Sequence, residues 1–141
     1  MHKYGKKPDP LREKTLNLAV RIVNLSKYLM QEKNEYTISK QVLRSGTNPG
    51  AMVREAANAE SGLDFIHKLS VAQKEAGETL YWLELLFRTN YLAANEYESI
   101  YADTEEILRL IKSSIVTRKK TLATKTASAL TLLAFLTYYL F

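Results

Sequence analysis

The stretch from Gln41 to Leu86, QVLRSGTNPGAMVREAANAESGLDFIHKLSVAQKEAGETLYWLELL, constrains the fold more than any other part of the chain. It is amphipathic at helical spacing and dense in small residues. Between Val42 and Met52 the inward positions are Ser45, Gly46 and Pro49, with no bulky side chain among them. Side chains this small let two helix backbones approach closely, so the segment predicts tightly packed helices. Pro49 interrupts the pattern. It removes one backbone bond and kinks a helix that runs through it. The apolar register survives across Pro49, which favours a continuous kinked helix. The alternative is a loop at SGTNPG.

The same period extends in both directions. Asp9 is placed as an N-cap with Pro10 at the first helical position. A first helix is expected from about Pro10 to Gln31, with Thr15, Leu18, Ala19, Ile22, Leu25, Ser26 and Leu29 on one face. Leu16, Val20 and Val23 widen that face enough for contact on more than one side. A second helix is expected from Thr37 or Ser39, either serving as cap, with Ile38, Val42, Ser45, Gly46, Pro49, Val53, Ala56 and Ala57 inward. Ser61 is expected to cap a third, with Asp64 in its first turn. Its seam reads Ile66, Leu69, Gln73, Ala76, Leu80, Leu83 and Phe87, beside a second line of Phe65, Ala72, Thr79, Trp82 and Leu86. A fourth opens near Ala93 and turns Tyr97, Ile100, Tyr101, Thr104, Ile107, Leu108, Ile111 and Ile115 inward. Four long helices with short connections define an all-α, up-down-up-down antiparallel four-helix bundle. With five Gly and three Pro in 141 residues, breakers are few.

The expected organisation is a basic N-terminal arm over 1–9, a four-helix bundle domain over 10–120 and an apolar C-terminal tail over 121–141. Thr126 to Phe141 carries no charge. As a helix it would reach about 24 Å, short of the roughly 20 residues that a bilayer core requires. Three readings stand for it: packing on a neighbouring subunit, membrane association through its aromatic and basic flanks, or no selected role.

The net charge of +5 is carried by the ends. Residues 1–14 hold five basic and two acidic side chains, and residues 112–141 hold five basic and none acidic. The body between them has ten basic against thirteen acidic. An anionic partner, RNA or DNA, would meet the termini first. The tight cluster is Arg118-Lys119-Lys120 with Lys125 nearby, the candidate nucleic-acid-binding residues. Contact there would be driven by shape and charge, not by base identity. The alternative is that these residues only keep the termini solvated.

Chemistry of other kinds finds few residues. No Cys is present, so disulfides and thiolate metal sites are excluded. A di-metal carboxylate site needs two Glu-x-x-His pairs, and the chain has only His2 and His67. There is no nucleophile elbow and no phosphate loop. Glu55, Glu75, Glu78 and Glu84 lie on central helices, but Lys74, Arg44 and Arg54 are at hand as structural ion partners. No catalytic residue, cofactor or metal is expected. The missing Cys, and an N-terminus without an apolar signal core, fit a cytoplasmic protein.

One set of residues carries a family resemblance. Gln41-x-x-Arg44-Ser45-Gly46-Thr47, Gly50-Ala51, Glu55-Ala56, Ser61, Asp64-Phe65, Lys68, Lys74-Glu75-Ala76, Glu78-Thr79 and Tyr81-Trp82-Leu83 resemble the small bacterial four helix bundle proteins. These are also known as large-subunit ribosomal RNA intervening-sequence proteins. The resemblance spans about Leu11 to Ile115. It implies a left-handed antiparallel bundle that assembles as a ring, commonly a homopentamer, without established catalytic residues. Some members are encoded in insertions within ribosomal RNA genes. A distantly related bundle is the accessory subunit of diversity-generating retroelements, where it contacts nucleic acid and a reverse transcriptase. Asn48-Pro49 stands where many members have Ser-Ile, and the apolar tail lies beyond the usual end of the family.

Overall fold

A computed structural model describes residues 9–140. The expected arm over 1–9 therefore lies outside the described residues except for Asp9. Four helices account for nearly all that is described: α1 (Pro10–Glu32), α2 (Ile38–Ala57), α3 (Gly62–Arg88) and α4 (Ala94–Leu140). No strand occurs among the described residues. The connections are short, so each helix reverses on its predecessor. α2 packs on α1 and α3, α3 on α4, and a thinner α1–α4 contact closes the bundle.

Local chemistry fixes the ends. Asp9 Oδ1 accepts from Arg12 N–H at 3.0 Å, and Pro10 opens α1. Ser61 Oγ accepts from Asp64 N–H at 3.0 Å and caps α3. The start of α2 departs from expectation. Neither Thr37 nor Ser39 caps it with a side chain. The buried Glu35 carboxylate does so instead, accepting from Thr37 N–H at 3.0 Å, Ile38 N–H at 2.8 Å and Ser39 N–H at 2.6 Å. The longer Glu side chain reaches forward because the backbone turns at Asn34, where φ is 51°. At the end of α3, Asn90 (φ 64°) forms the left-handed cap. Tyr91 N–H donates to Leu86 O at 2.9 Å and Asn90 N–H to Phe87 O at 3.0 Å.

The inward faces form one core. α1 buries Thr15, Leu18, Ile22, Leu25, Ser26 and Leu29, as its period predicts. α2 runs unbroken through Pro49 and buries Ser39, Val42, Ser45, Gly46, Pro49, Gly50, Val53 and Ala56, so the loop reading of SGTNPG falls. The small face is a close-approach surface. A Cβ on Gly46 would lie 2.7 Å from Ile22 Cγ1 of α1, and Gly50 rests against the Thr15 carbonyl. Thr79 Oγ1 of α3 bonds Ser45 Oγ of α2 at 3.1 Å, satisfying two buried hydroxyls across the interface.

On α3 the buried line is Leu69, Ala72, Glu75, Ala76, Thr79, Leu83 and Leu86. It runs between the two lines that the sequence suggests. Ile66, Gln73, Leu80 and Phe87 are only half-buried, flanking positions. The correction has a physical origin. Both lines are apolar, and the packed stripe centres on the small residues Ala72, Ala76 and Thr79, where neighbours come closest.

α4 is one continuous helix of 47 residues, and no break separates bundle from tail at residue 121. It buries Ile100, Thr104, Ile107, Ile111 and Ile115. Its last turn against the bundle is at Leu122, whose Cδ2 would lie 2.7 Å from a Cβ on Gly62. Beyond Leu122 every described residue is exposed. The helix therefore projects about 27 Å past the end of α3 at 1.5 Å per residue.

Candidate nucleic-acid interface

The candidate residues Arg118, Lys119, Lys120 and Lys125 sit where α4 leaves the bundle. Helical geometry divides them. Arg118 and Lys125, seven residues apart, share one side, and Lys119 and Lys120 point to another. The Arg118 guanidinium is half-buried and lies over the Phe65 ring of α3, 4.5 Å from its centroid. That cation–π contact fixes the exit of α4 against the first turns of α3. Lys119, Lys120 and Lys125 are exposed.

Two further basic residues join Lys119 and Lys120. Arg109 and Lys112, three residues apart, lie on the same exposed side, with Lys119 seven residues beyond Lys112. Together they form a basic face over about 17 Å of helix. None of these four pairs with a carboxylate among the described residues. The same side is acidic earlier, at Glu98 and Glu105, and no acidic residue follows Glu106. Arg109 was missed because a count by sequence segment hides helical spacing. The i+3, i+10 and i+11 intervals from Arg109 to Lys112, Lys119 and Lys120 are the signal that finds it.

Beside this face is a shallow groove of about 430 Å³ lined by Phe65, Ser113, Ser114, Thr117, Arg118 and Thr121. Its lining carries four hydroxyls, the Arg118 guanidinium and the Phe65 ring.

The central carboxylates are paired with neighbouring side chains. Arg44 Nη1 lies 3.3 Å from Glu75 Oε2, and its Nη2 pairs with Glu78. Trp82 Nε1 donates to Glu78 at 3.2 Å. Lys68 Nζ meets Glu55 at 2.8 Å, and hydrogen bonding to Glu55 raises the Lys68 pKa. Arg54 donates to the Gly50 carbonyl at 3.0 Å instead of to a carboxylate. The open depression containing Glu55 is rimmed by Arg54, Asn58, Glu60, Asp64 and Lys68, whereas Glu75 and Glu78 lie elsewhere. His67 is exposed. Among the described residues no group of three His, Asp or Glu side chains could hold a metal ion.

Fold and surface together define a small all-α bundle whose last helix carries a basic face before it projects past the other helices. Residues 11–113 match the 23S rRNA-intervening sequence protein family, and the chain belongs to that family. A protein of unknown function from the S23 ribosomal protein family of Bacteroides thetaiotaomicron, known from its crystal structure, is 55% identical. It superposes with a TM-score of 0.74, over 74% of this chain and 94% of that one. No curated protein matches the chain. Arg118, Lys119, Lys120, Lys125 and the projecting part of α4 all lie beyond the family match.

Proposed function

We propose that this chain is a non-enzymatic, cytoplasmic, self-assembling bundle that binds nucleic acid, RNA before DNA, through phosphate contacts at the exit of α4. The observation that carries the reading is the basic face of Arg109, Lys112, Lys119 and Lys120, unpaired and flanked by the hydroxyl-lined groove at Arg118. Such a face attracts a polyanion by charge and releases its counterions. Lys125 extends the contact along the emerging helix. A non-enzymatic role is supported by the pairing of Glu55 with Lys68, and of Glu75 and Glu78 with Arg44.

Self-assembly is supported by Leu16 and Val20, which remain exposed on α1 one turn apart. They offer apolar surface of the kind that subunit interfaces cover. A homopentameric ring is the proposed stoichiometry, drawn from the family resemblance. Membrane association through the tail has less support, since no helix among the described residues is long and apolar enough to cross a membrane.

The test is anisotropy of a labelled single-stranded RNA across a salt series. Lys119→Glu with Lys120→Glu should weaken binding about tenfold or more and flatten the salt slope by about 1–2, with thermal stability unchanged. Equal binding by the variant, or no binding by the native chain at low salt, contradicts the proposal. Light scattering should give five copies of 16.1 kDa or another closed oligomer. A monomeric bundle after the tail is removed contradicts assembly through α1.

A further inference from the structure

The buried stripe of α4 does not stop where the bundle stops. Ile100, Thr104, Ile107, Ile111 and Ile115 define its inward side. The side continues past Arg118 to Leu122, seven residues on from Ile115, and spacings of four and three then carry it through Thr126, Ala129, Leu133, Leu136 and Leu140. Up to Leu122 the stripe is covered by α3, and beyond it nothing covers it. Leu133 is 59% exposed, Leu136 45% and Leu140 72%. A helix that keeps the register of a packed seam for five further turns presents a coiled-coil face, and hydrophobic residues in that pattern are buried when a second helix is supplied.

We propose that the second helix is the same segment of another copy, paired antiparallel. Three observations select this occupant. First, the seam is self-complementary in that orientation. When Leu122 lies opposite Leu140, Thr126 faces Leu136 and Ala129 faces Leu133, so each small residue meets a large one. A parallel pair would set Ala129 against Ala129 and Thr126 against Thr126, leaving voids that cost packing energy. Second, charge opposes the parallel form. Parallel pairing would bring two copies of Arg118, Lys119, Lys120 and Lys125 side by side, whereas the antiparallel form sets them at opposite ends of an uncharged segment. Third, the partner would take the place that α3 would fill if it were longer. α3 is antiparallel to α4 and ends at Gly62 against Leu122. Next to Gly62, Leu63 is 74% exposed on the end of the bundle, an otherwise unexplained leucine. The tip of the partner helix, at Tyr138 and Leu140, would reach it.

A lipid surface fits less well. The uncharged segment is too short to span, and it has no charged face with which to lie in a headgroup layer. The pairing is independent of the bundle's own assembly face and of nucleic-acid binding. An interface this narrow is of the weak class, so it is read at about 1–100 μM protein.

Because the chain has no Cys, the geometry is tested with full-length single-Cys variants. A mixture of Ala129→Cys and Leu133→Cys, oxidised mildly, should give a covalent dimer on a denaturing gel joining one of each, with much less product from either alone. This readout does not depend on whether the bundles form rings. Leu133→Lys with Leu136→Lys, both exposed and away from the bundle core, should lower the solution mass by a factor of two or more while leaving the melting temperature of the bundle in place. Self-linked Ala129→Cys as the main product overturns the antiparallel arrangement. A mass unchanged by the double Lys variant overturns the pairing. Flotation of the native chain with phosphatidylcholine–phosphatidylglycerol vesicles, lost in the double Lys variant without a change of mass, overturns it in favour of a membrane.

Discussion

Two stretches of one helix, 100–115 and 122–140, carry the same apolar spacing and meet opposite fates. In the first, Ile107 and Ile111 are fully buried against the other helices. In the second, Leu133, Leu136 and Leu140 stand in solvent. Periodicity therefore specifies which side of a helix is ready to pack, and the length of the neighbouring helix decides whether packing occurs within the chain. α3 ends at Gly62, and with it ends the intramolecular core. A similar contrast separates the sides of α1. Its contact with α2 is close at two glycines, Gly46 against the Ile22 side chain and Gly50 against the Thr15 carbonyl. Its contact with α4 is bridged by long charged side chains, Lys14 to Glu106 at 3.0 Å and Arg21 to Asp103 at 2.6 Å, with Arg21 also donating to Ser99.

The sharpest break of the first contrast is a pair of matched truncations. Ile111→Ala should destabilise the bundle by about 2–5 kcal/mol, because it opens a cavity in a filled core. Leu136→Ala, on the same stripe, should change bundle stability by less than about 0.5 kcal/mol at low micromolar protein. Denaturant unfolding checks both, and equal effects would erase the distinction.

A smaller effect is expected at the close approach of α1 and α2. Gly46→Val drives a branched side chain into Ile22, which cannot yield in a packed core, at a cost of about 1–3 kcal/mol. A stabilised variant in the same unfolding assay would show that the two backbones are looser than their side chains imply.

The Glu35 cap should come next, at about 1–2 kcal/mol for Glu35→Gln. Burial pushes the Glu35 carboxyl up, but the N–H groups of Ile38, Ser39 and Thr37 together pull harder, and its pKa ends below the ordinary 4.5. A carboxylate whose pKa is lowered by folding stabilises the folded state fully above that ordinary value. The contribution is lost as pH falls through the lower folded value. Stability should therefore drop on the acid side of pH 4.5, and Glu35→Gln should flatten that limb. An identical acid limb in the variant would remove Glu35 from the explanation.

The smallest effect belongs to the charged α1–α4 bridge. Lys14→Met should alter stability by about 0–1 kcal/mol, because both partners are substantially exposed and screened by salt. A larger loss, seen by thermal melting at low and high salt, would mean that the thin interface depends on its charges.

Much of this architecture was legible in the sequence because the evidence for it is local. Asp9 and Ser61 cap as their short polar side chains suggest, and the buried faces of α1, α2 and the first half of α4 follow the 3.6-residue period. Three features were not legible. Glu35 caps α2 from outside the usual short-residue set, and its reach depends on the left-handed turn at Asn34. The seam of α3 lies between two apolar lines, and only the positions of α2 and α4 choose between them. The length of α4 is a matter of what is missing. No Gly, Pro or Asn follows Asn95, so no residue suited to a left-handed turn stops the helix at residue 120 as Asn90 stops α3, although the composition changes there. The candidate interface was half legible. Arg118, Lys119, Lys120 and Lys125 are clustered in sequence, but the exposed basic face also draws on Arg109 and Lys112, and Arg118 is engaged with Phe65.

Hydrogen–deuterium exchange across a protein concentration series tests the contrast between the two stretches of α4 most directly. Amides of 100–115 should be protected to the same degree at every concentration, whereas those of 123–140 should exchange fast in dilute protein and slow down as concentration rises. A tail protected as strongly as the bundle in dilute protein, or unprotected throughout the series, would contradict a seam that is packed in one half and awaits its own copy in the other.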